Sequence, residues 1–442
     1  MPVDHQLLDA LEILWCIPPP GPDNLWSTPA FVTLKDLCAQ QYGNGKATLG
    51  LTFALSNALR SLGLPCWQPP TPLDPALDLE SVAANLAKAF SRRTTVRRYI
   101  CPLDLADDLP SLAFGNARLA QLNAKDLDIL FDRSRLARHF PALPLDSDRL
   151  AQFHWLVVEE EIEIDREAGA RALPFLSMRM DRDLGEIDPH LSRFPSAVED
   201  ALFFLLLAPW EEWSTMTEVD WRGFRIPWIY TLDEDLFVAP SRPPSPDSLS
   251  LEPLIVQNDW GDEIELERPS VLQLDDCASL EMQHMNDAAW TELKAARATP
   301  LFETPVVHFL VRAFLADGVD EVIAHLTVIE AALGLESDHR PKLRPKPDPH
   351  SRLSPTKRVA ARLGAALNEI KVTQDYMDLF DLRSEFIHGR AGLKKISTRK
   401  RVLARSIARR IVRALIPLAT NPALSRDEIL SKLLAKGAGH TS

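Results

Sequence analysis

The sequence predicts a mainly helical protein with an α+β middle region and a helical bundle at its C-terminal end. Three observations carry this reading. Its 35 prolines gather at 18 to 22, 65 to 75, 240 to 253 and 341 to 355, where neither helix nor central strand can continue. Strand-like runs are confined to the middle, at Val157 to Ile164 and Trp221 to Tyr230. After about residue 300 the apolar residues recur at helical spacing almost to the end.

Taken in order, residues 1–95 read as mostly helical, with apolar positions at helical spacing from Phe31 to Leu62. Residues 96–262 form the α+β region, a candidate sensor domain. Its seven tryptophans and tyrosines between 155 and 260 are read most simply as packing. A connecting segment with a helix occupies 263–299.

From 300 to 442 the elements are sharper. Val306 to Leu315 makes one helix, and Asp320 to Leu333 a second, with Gly334 in the stop position. Ser354 offers an N-cap, and Pro355 suits the first turn of a helix that runs to about Asn368. Val372 to His388 is ended by Gly389, and Ile396 to about Ile416 meets Pro417, which should kink or stop it.

Composition sets the function classes. A chain of 442 residues with 46% hydrophobic content can bury two or three cores. The net charge of −13 argues against a protein that coats nucleic acid over its whole surface. The average hides a split. Between Arg340 and Arg413 there are 20 Lys and Arg against 6 Asp and Glu, leaving 29 against 56 elsewhere. Five widely spaced cysteines contain no Cys-x-x-Cys pair, which fits a reduced, cytoplasmic setting. The first residues lack a cationic leader, and the most apolar run, Ala201 to Trp210, is about half a membrane span. No membrane anchor and no cofactor or metal site is expected.

The constellation that carries chemistry is Asp381-Leu382-Arg383-Ser384-Glu385-Phe386-Ile387-His388-Gly389. Arg, four to six residues, then His also occurs at Arg133/His139, Arg149/His154 and Arg344/His350, so context must decide. Only Arg383 and His388 end a convincing amphipathic helix, with Tyr376, Leu379, Phe380 and Ile387 as its apolar stripe. Five residues turn a helix by about 140°, yet a long arginine can reach round to share a cleft with the imidazole. Such a pair can serve attack by an RNA 2′-hydroxyl on its neighbouring phosphate. His388 would move the proton, its charged form favoured by the helix C-terminus, and Arg383 would clamp the phosphate. Nothing in this scheme needs a metal.

Val328 to Leu335 (V-I-E-A-A-L-G-L) followed by Asp381 to Gly389 (D-L-R-S-E-F-I-H-G) resembles the ApeA-like HEPN family over roughly residues 300 to 420. Pro102 to Asp132 is more vaguely similar to the domain that often precedes that bundle. The resemblance implies a helical bundle that dimerises, bringing two Arg/His pairs to one cleft, and a metal-independent endoribonuclease of prokaryotic antiphage or toxin systems. Arg383 and His388 carry over as its motif pair, with Ser384 polar after the arginine. Some members of the superfamily keep the fold and only bind.

Glu330 lies seven residues after Ile323 and four after Leu326, on an apolar stripe, where a carboxylate requires a partner. It either orients Arg383 or His388, or registers two helices through a salt bridge. In the last long helix Arg401, Arg405, Arg409 and Arg413 recur every four residues, opposite Leu403, Ile407, Ile411 and Leu415. With Lys394 and Lys395 at its start, this face could track an RNA backbone, or dock on acidic residues of the same chain. Two features are set aside. Gly43 to Thr48 lacks the glycine and hydroxyl spacing of a phosphate loop. The acidic run Glu159 to Glu161 reads as a strand face rather than a metal site.

The reading is therefore a candidate HEPN-type endoribonuclease, with Arg383, His388 and Glu330 at the reaction and Ser384, Lys394, Lys395, Arg401, Arg405 and Arg409 on substrate. Its rivals are a non-catalytic RNA-binding or protein-interaction module, and a purely structural bundle.

Overall fold

The computed structural model describes residues 5–19, 21–68, 78–174, 193–257, 260–387, 395–419 and 424–441. The chain is mainly helical, 55% helix against 13% strand, with a small antiparallel sheet. It divides into two compact units that alternate along the sequence. The first comprises Met1–Asp104, Leu119–Gly185 and Ile226–Ser270; the second comprises Leu105–Arg118, Glu186–Arg225 and Val271–Ser442. The four consecutive segments expected from composition are thus not the units of packing. The C-terminal helices share theirs with residues 186–225.

The first unit opens with helices α1 (His5–Trp15), α2 (Pro29–Tyr42), α3 (Leu49–Ser61) and α4 (Leu79–Ser91). Thr28, Thr48 and Asp78 cap the last three through side-chain oxygens. Their apolar stripes meet in a core that includes Leu11, Phe31, Leu55 and Leu86. The glycine segment dismissed as a phosphate loop ends α2: Gly45, at φ +73°, donates its N–H to the Ala39 carbonyl.

In the sheet, β1 (Thr94–Leu103) pairs antiparallel with β2 (His154–Glu163) on one side and β3 (Tyr230–Asp233) on the other. Ile100 faces Val157, and Trp155 and Tyr230 fill the core beside it. The acidic run lies on β2, as its alternation predicts, and faces basic and hydroxyl groups across the strand. Arg98 donates to Glu159 at 2.9 Å and Tyr99 to Glu160 at 3.2 Å. Among the described residues no three His, Cys, Asp or Glu side chains are grouped to hold a metal ion. The strand expected over Trp221 to Tyr230 begins only at Tyr230. Trp221 and Phe224 are buried against helices of the second unit instead. Between β1 and β2 run the short helices α5 (Ala124–Leu130), α6 (Arg133–His139) and α7 (Ser147–Leu150), with α8 (Ala168–Ala172) after β2. A hairpin of β4 (Leu251–Gln257) and β5 (Glu263–Pro269) completes the unit.

The second unit begins with α9 (Ser196–Leu205) and α10 (Trp210–Trp213), then α11 (Cys277–Met282) and α12 (Asp287–Arg297). The expected helices follow as α13 (Val306–Leu315), α14 (Gly318–Leu333), α16 (Pro355–Leu367), α17 (Lys371–Ile387) and α18 (Thr398–Leu418), with the single turn α15 (Glu336–His339) between α14 and α16. Ser354 caps α16 by accepting from the Lys357 N–H, and Asn368 ends it in the left-handed region. Gly334 ends α14 at an ordinary φ of −76°, so its role is space rather than dihedral freedom. A Cβ there would stand 2.6 Å from the Glu330 carbonyl. α18 starts two residues later than expected because Ser397 caps it, and Pro417 sits inside its last turn. A last helix, α19 (Arg426–Gly437), was not anticipated, although Ser425 and Glu428 spell its capping box.

α18 is the hub of this unit, packing against α12, α13, α14, α16 and α17. Most of its circumference is therefore covered: Ala404, Arg405, Ile407, Ala408, Arg409, Ile411 and Val412 are all buried, while Arg399 and Arg413 stay exposed. No helix among the described residues is long and apolar enough to cross a membrane.

Candidate functional site

α14 and α17 bring Glu330 and Arg383 together. Glu330 falls on the inward stripe of α14 beside buried Leu326, Ile329 and Leu333. Arg383 follows buried Leu379 and Leu382 on α17. Arg383 Nη1 donates to Glu330 Oε1 at 3.1 Å, the two side chains being 23% and 33% exposed. The carboxylate that periodicity placed among apolar residues has its partner in this arginine. Burial pushes the Glu330 carboxyl above its usual range, while the Arg383 charge and then that of His339 pull it back.

Below the pair, Tyr376 is fully buried about two turns before Arg383. Its hydroxyl and the Arg383 Nε have no hydrogen-bond partner among the described residues. Burial, then the Glu330 charge, raises the phenol above its ordinary range. The Arg383 guanidinium lies 5.5 Å from the Phe380 ring centroid, which steadies the plane of the fork. The site thus joins a partly exposed guanidinium, a carboxylate that uses one of its donors, and a phenol beneath. A guanidinium held in this way keeps further N–H donors for an incoming anion.

The other sequence-derived residues distribute unevenly. His388 and Lys394 lie outside the described residues. Ser384 is half-buried on α17, and Lys395 is exposed ahead of α18. Ile387, read as part of the apolar stripe, is 53% exposed; Val372, Tyr376, Leu379 and Leu382 make the stripe instead.

The cationic face of α18 is corrected by the structure. Arg405 is buried, and its guanidinium stacks on Trp221 at 3.8 Å from the ring centroid while pairing with fully buried Glu321. Arg401 reaches the same carboxylate at 3.0 Å. Arg409, also buried, bonds Glu211 at 2.8 Å and Glu212 at 2.5 Å. Burial pushes the Arg405 guanidinium down to about 9 against the pull of Glu321, so it stays charged at neutral pH. These three arginines hold α18 to α14 and α10 and are not free to track a phosphate backbone. Isolated charges could not be buried at that depth without their carboxylates.

The remaining Arg and His matches are accounted for structurally. Arg133 and His139 bound the short helix α6, and His139 meets Ser61 Oγ at 3.0 Å. Arg149 pairs with Asp247 and Glu267, while His154 starts β2. Arg344 donates to the Ser337 and Asp338 carbonyls. Sequence reasoning did not single out Tyr376 as polar chemistry, nor His339 as a charge acting on Glu330. The sole signal for Tyr376 was a hydroxyl-bearing ring on an otherwise aliphatic stripe.

No family model, no curated protein and no solved structure matches this chain.

Proposed function

We propose that α14 and α17 form the site of an ApeA-like HEPN-type endoribonuclease, with Arg383 as the phosphate clamp and His388 as the proton carrier. The observation that carries the reading is the partly exposed Arg383 pinned by Glu330 near the C-terminal end of α17. In the reaction, the RNA 2′-hydroxyl gives up its proton and its oxygen attacks the adjacent phosphorus. The bond to the 5′-oxygen breaks, that oxygen takes a proton, and a 2′,3′-cyclic phosphate is left. An imidazole beside a helix C-terminus suits the proton transfers, and paired guanidinium N–H groups suit the charge on the pentacoordinate phosphorus. Ser384, Lys394 and Lys395 would contact substrate. The protein would act in the cytoplasm as a homodimer through its C-terminal helices, in an antiphage or toxin setting.

The second reading is a non-catalytic HEPN module that binds RNA or a partner protein. It is favoured by the same ion pair, because Glu330 already occupies one donor of Arg383.

The test is incubation of total RNA with purified wild type, Arg383→Ala and His388→Ala in EDTA. Cleavage by wild type alone, leaving cyclic phosphate ends, supports the nuclease. Equal cleavage by wild type and His388→Ala refutes the role given to His388. Binding lost in Arg383→Ala, with no cleavage by any protein, selects the second reading.

A further inference from the structure

A cleft of about 750 Å³ opens in the second unit along the C-terminal half of α18, apart from Glu330 and Arg383. Its volume falls in the range of small-molecule sites, roughly 300–1,000 Å³. One wall is cationic, made by Arg409, Arg410 and Arg413. Four of the arginines of α18 already have carboxylate partners. Arg401 and Arg405 share Glu321, Arg409 takes Glu211 and Glu212, and Arg410 takes Glu369 at 2.5 Å. Arg413 is exposed and has no carboxylate partner among the described residues.

The floor is aromatic and aliphatic. Phe204 and Trp213 line it, both otherwise buried. Glu281 and Glu292, both exposed, also line the cleft. Trp213 Nε1 donates to Glu281 Oε2 at 3.3 Å, which fixes one of these carboxylates against the floor.

We propose that this cleft binds a small ring-bearing phosphate ester, of the size of a nucleoside monophosphate. The phosphate pairs with Arg413 beside Arg410, where one cation is unsatisfied and bidentate N–H geometry matches the phosphate oxygens. The ring lies on the Phe204 and Trp213 floor. Hydroxyl or amino groups of the ligand donate to Glu281 and Glu292, which disfavour a plain fatty acid or a second anion at that end. The inference does not rest on the ribonuclease reading, since none of these residues takes part in it.

The experiment is calorimetric titration of the full-length protein with AMP, UMP, phenyl phosphate and inorganic phosphate. At least one of the ring-bearing esters is expected to bind more tightly than inorganic phosphate. Arg413→Ala should weaken that binding about tenfold or more, the loss of a charged bidentate contact. Arg399→Ala, which removes an equal charge from an exposed position on the same helix, should leave it unchanged. Ala414→Phe, which intrudes on the cleft wall, should abolish it without unfolding the protein, as followed by circular dichroism. No binding of any ring-bearing ester at millimolar concentration overturns the proposal. So does equal weakening by Arg413→Ala and Arg399→Ala, or tighter binding of a short oligoribonucleotide that depends on Arg413.

Discussion

Arg362 and Asp338 meet inside the second unit with each side chain only 1% exposed, Arg362 Nη2 donating to Asp338 Oδ1 at 2.9 Å. Arg362 also donates to the Leu333 and Leu430 carbonyls, so one guanidinium ties the end of α14, the single turn α15 and the last helix α19 to α16. Removing Asp338 leaves the buried Arg362 charge only carbonyl acceptors, and removing Arg362 leaves the buried Asp338 only Arg358, 4.0 Å away, as a cationic partner. Asp338→Ala or Arg362→Ala should therefore lower unfolding free energy by about 3–5 kcal/mol. Breaking the exposed Arg340 and Glu336 pair, in Arg340→Ala, should cost no more than about 0.5 kcal/mol. Urea unfolding of the three variants checks the contrast; similar losses would mean that burial does not set the strength of these pairs.

The Glu330 and Arg383 pair is only partly buried and belongs between those extremes. A double-mutant cycle with Glu330→Gln and Arg383→Gln should return a coupling below about 1 kcal/mol in stability. On the proposed function, Glu330→Gln should reduce the turnover of RNA cleavage more than the affinity for RNA, since Glu330 positions the guanidinium and does not touch substrate. A change confined to affinity would contradict that division.

Tyr376 presents a buried hydroxyl with no partner among the described residues. Phenylalanine keeps the ring and removes the orphan group, so Tyr376→Phe should raise stability by about 1 kcal/mol. A loss of that size in thermal or urea unfolding would show that the hydroxyl is hydrogen-bonded in solution.

His325 is enclosed beside Trp221, Arg405 and Arg222, and its Nδ1 bonds the Glu321 carbonyl at 2.8 Å. Burial, reinforced by Arg405, pushes its pKa down to about 3 from 6.5. A depressed histidine stays neutral when folded, while the unfolded chain takes up a proton as pH falls below about 6.5. Its contribution to stability is therefore intact above that pH and is lost progressively down to about 3, by at most about 1.4 kcal/mol per pH unit. His325→Asn, which keeps a donor to the carbonyl, should flatten the dependence of unfolding free energy on pH between 6.5 and 4. Parallel curves for wild type and variant would mean that His325 takes up its proton as readily folded as unfolded.

Local signals in the sequence located much of the helical half. Ser354, Pro355 and Asn368 delimit α16 because capping is decided by a few neighbouring backbone groups. Glu330 could be singled out because a carboxylate on an apolar stripe is anomalous whatever it faces. What stayed illegible was partnership across distance. The four-residue recurrence of arginines in α18 has the same appearance whether the face meets water or Glu321 and Glu211, which lie about 80 and 200 positions away in sequence. The Trp221 segment failed for a related reason. Aromatic and β-branched residues favour any packed surface, and here that surface is helical. The Ser425 and Glu428 box at the start of α19 is, by contrast, a local signal legible in the sequence.

The alternation of the two units along the chain has a practical bearing on how this protein can be taken apart. A fragment beginning near residue 300 would carry Arg383 and Glu330 but would leave behind Glu211, Glu212 and Trp221, against which Arg409 and Arg405 are seated. Arg409 would then lose the carboxylates that neutralise it, and Arg405, still paired with Glu321, would lose the ring that covers it. During synthesis, too, Trp221, Glu211 and Glu212 must wait for α18 to emerge before their own surroundings exist.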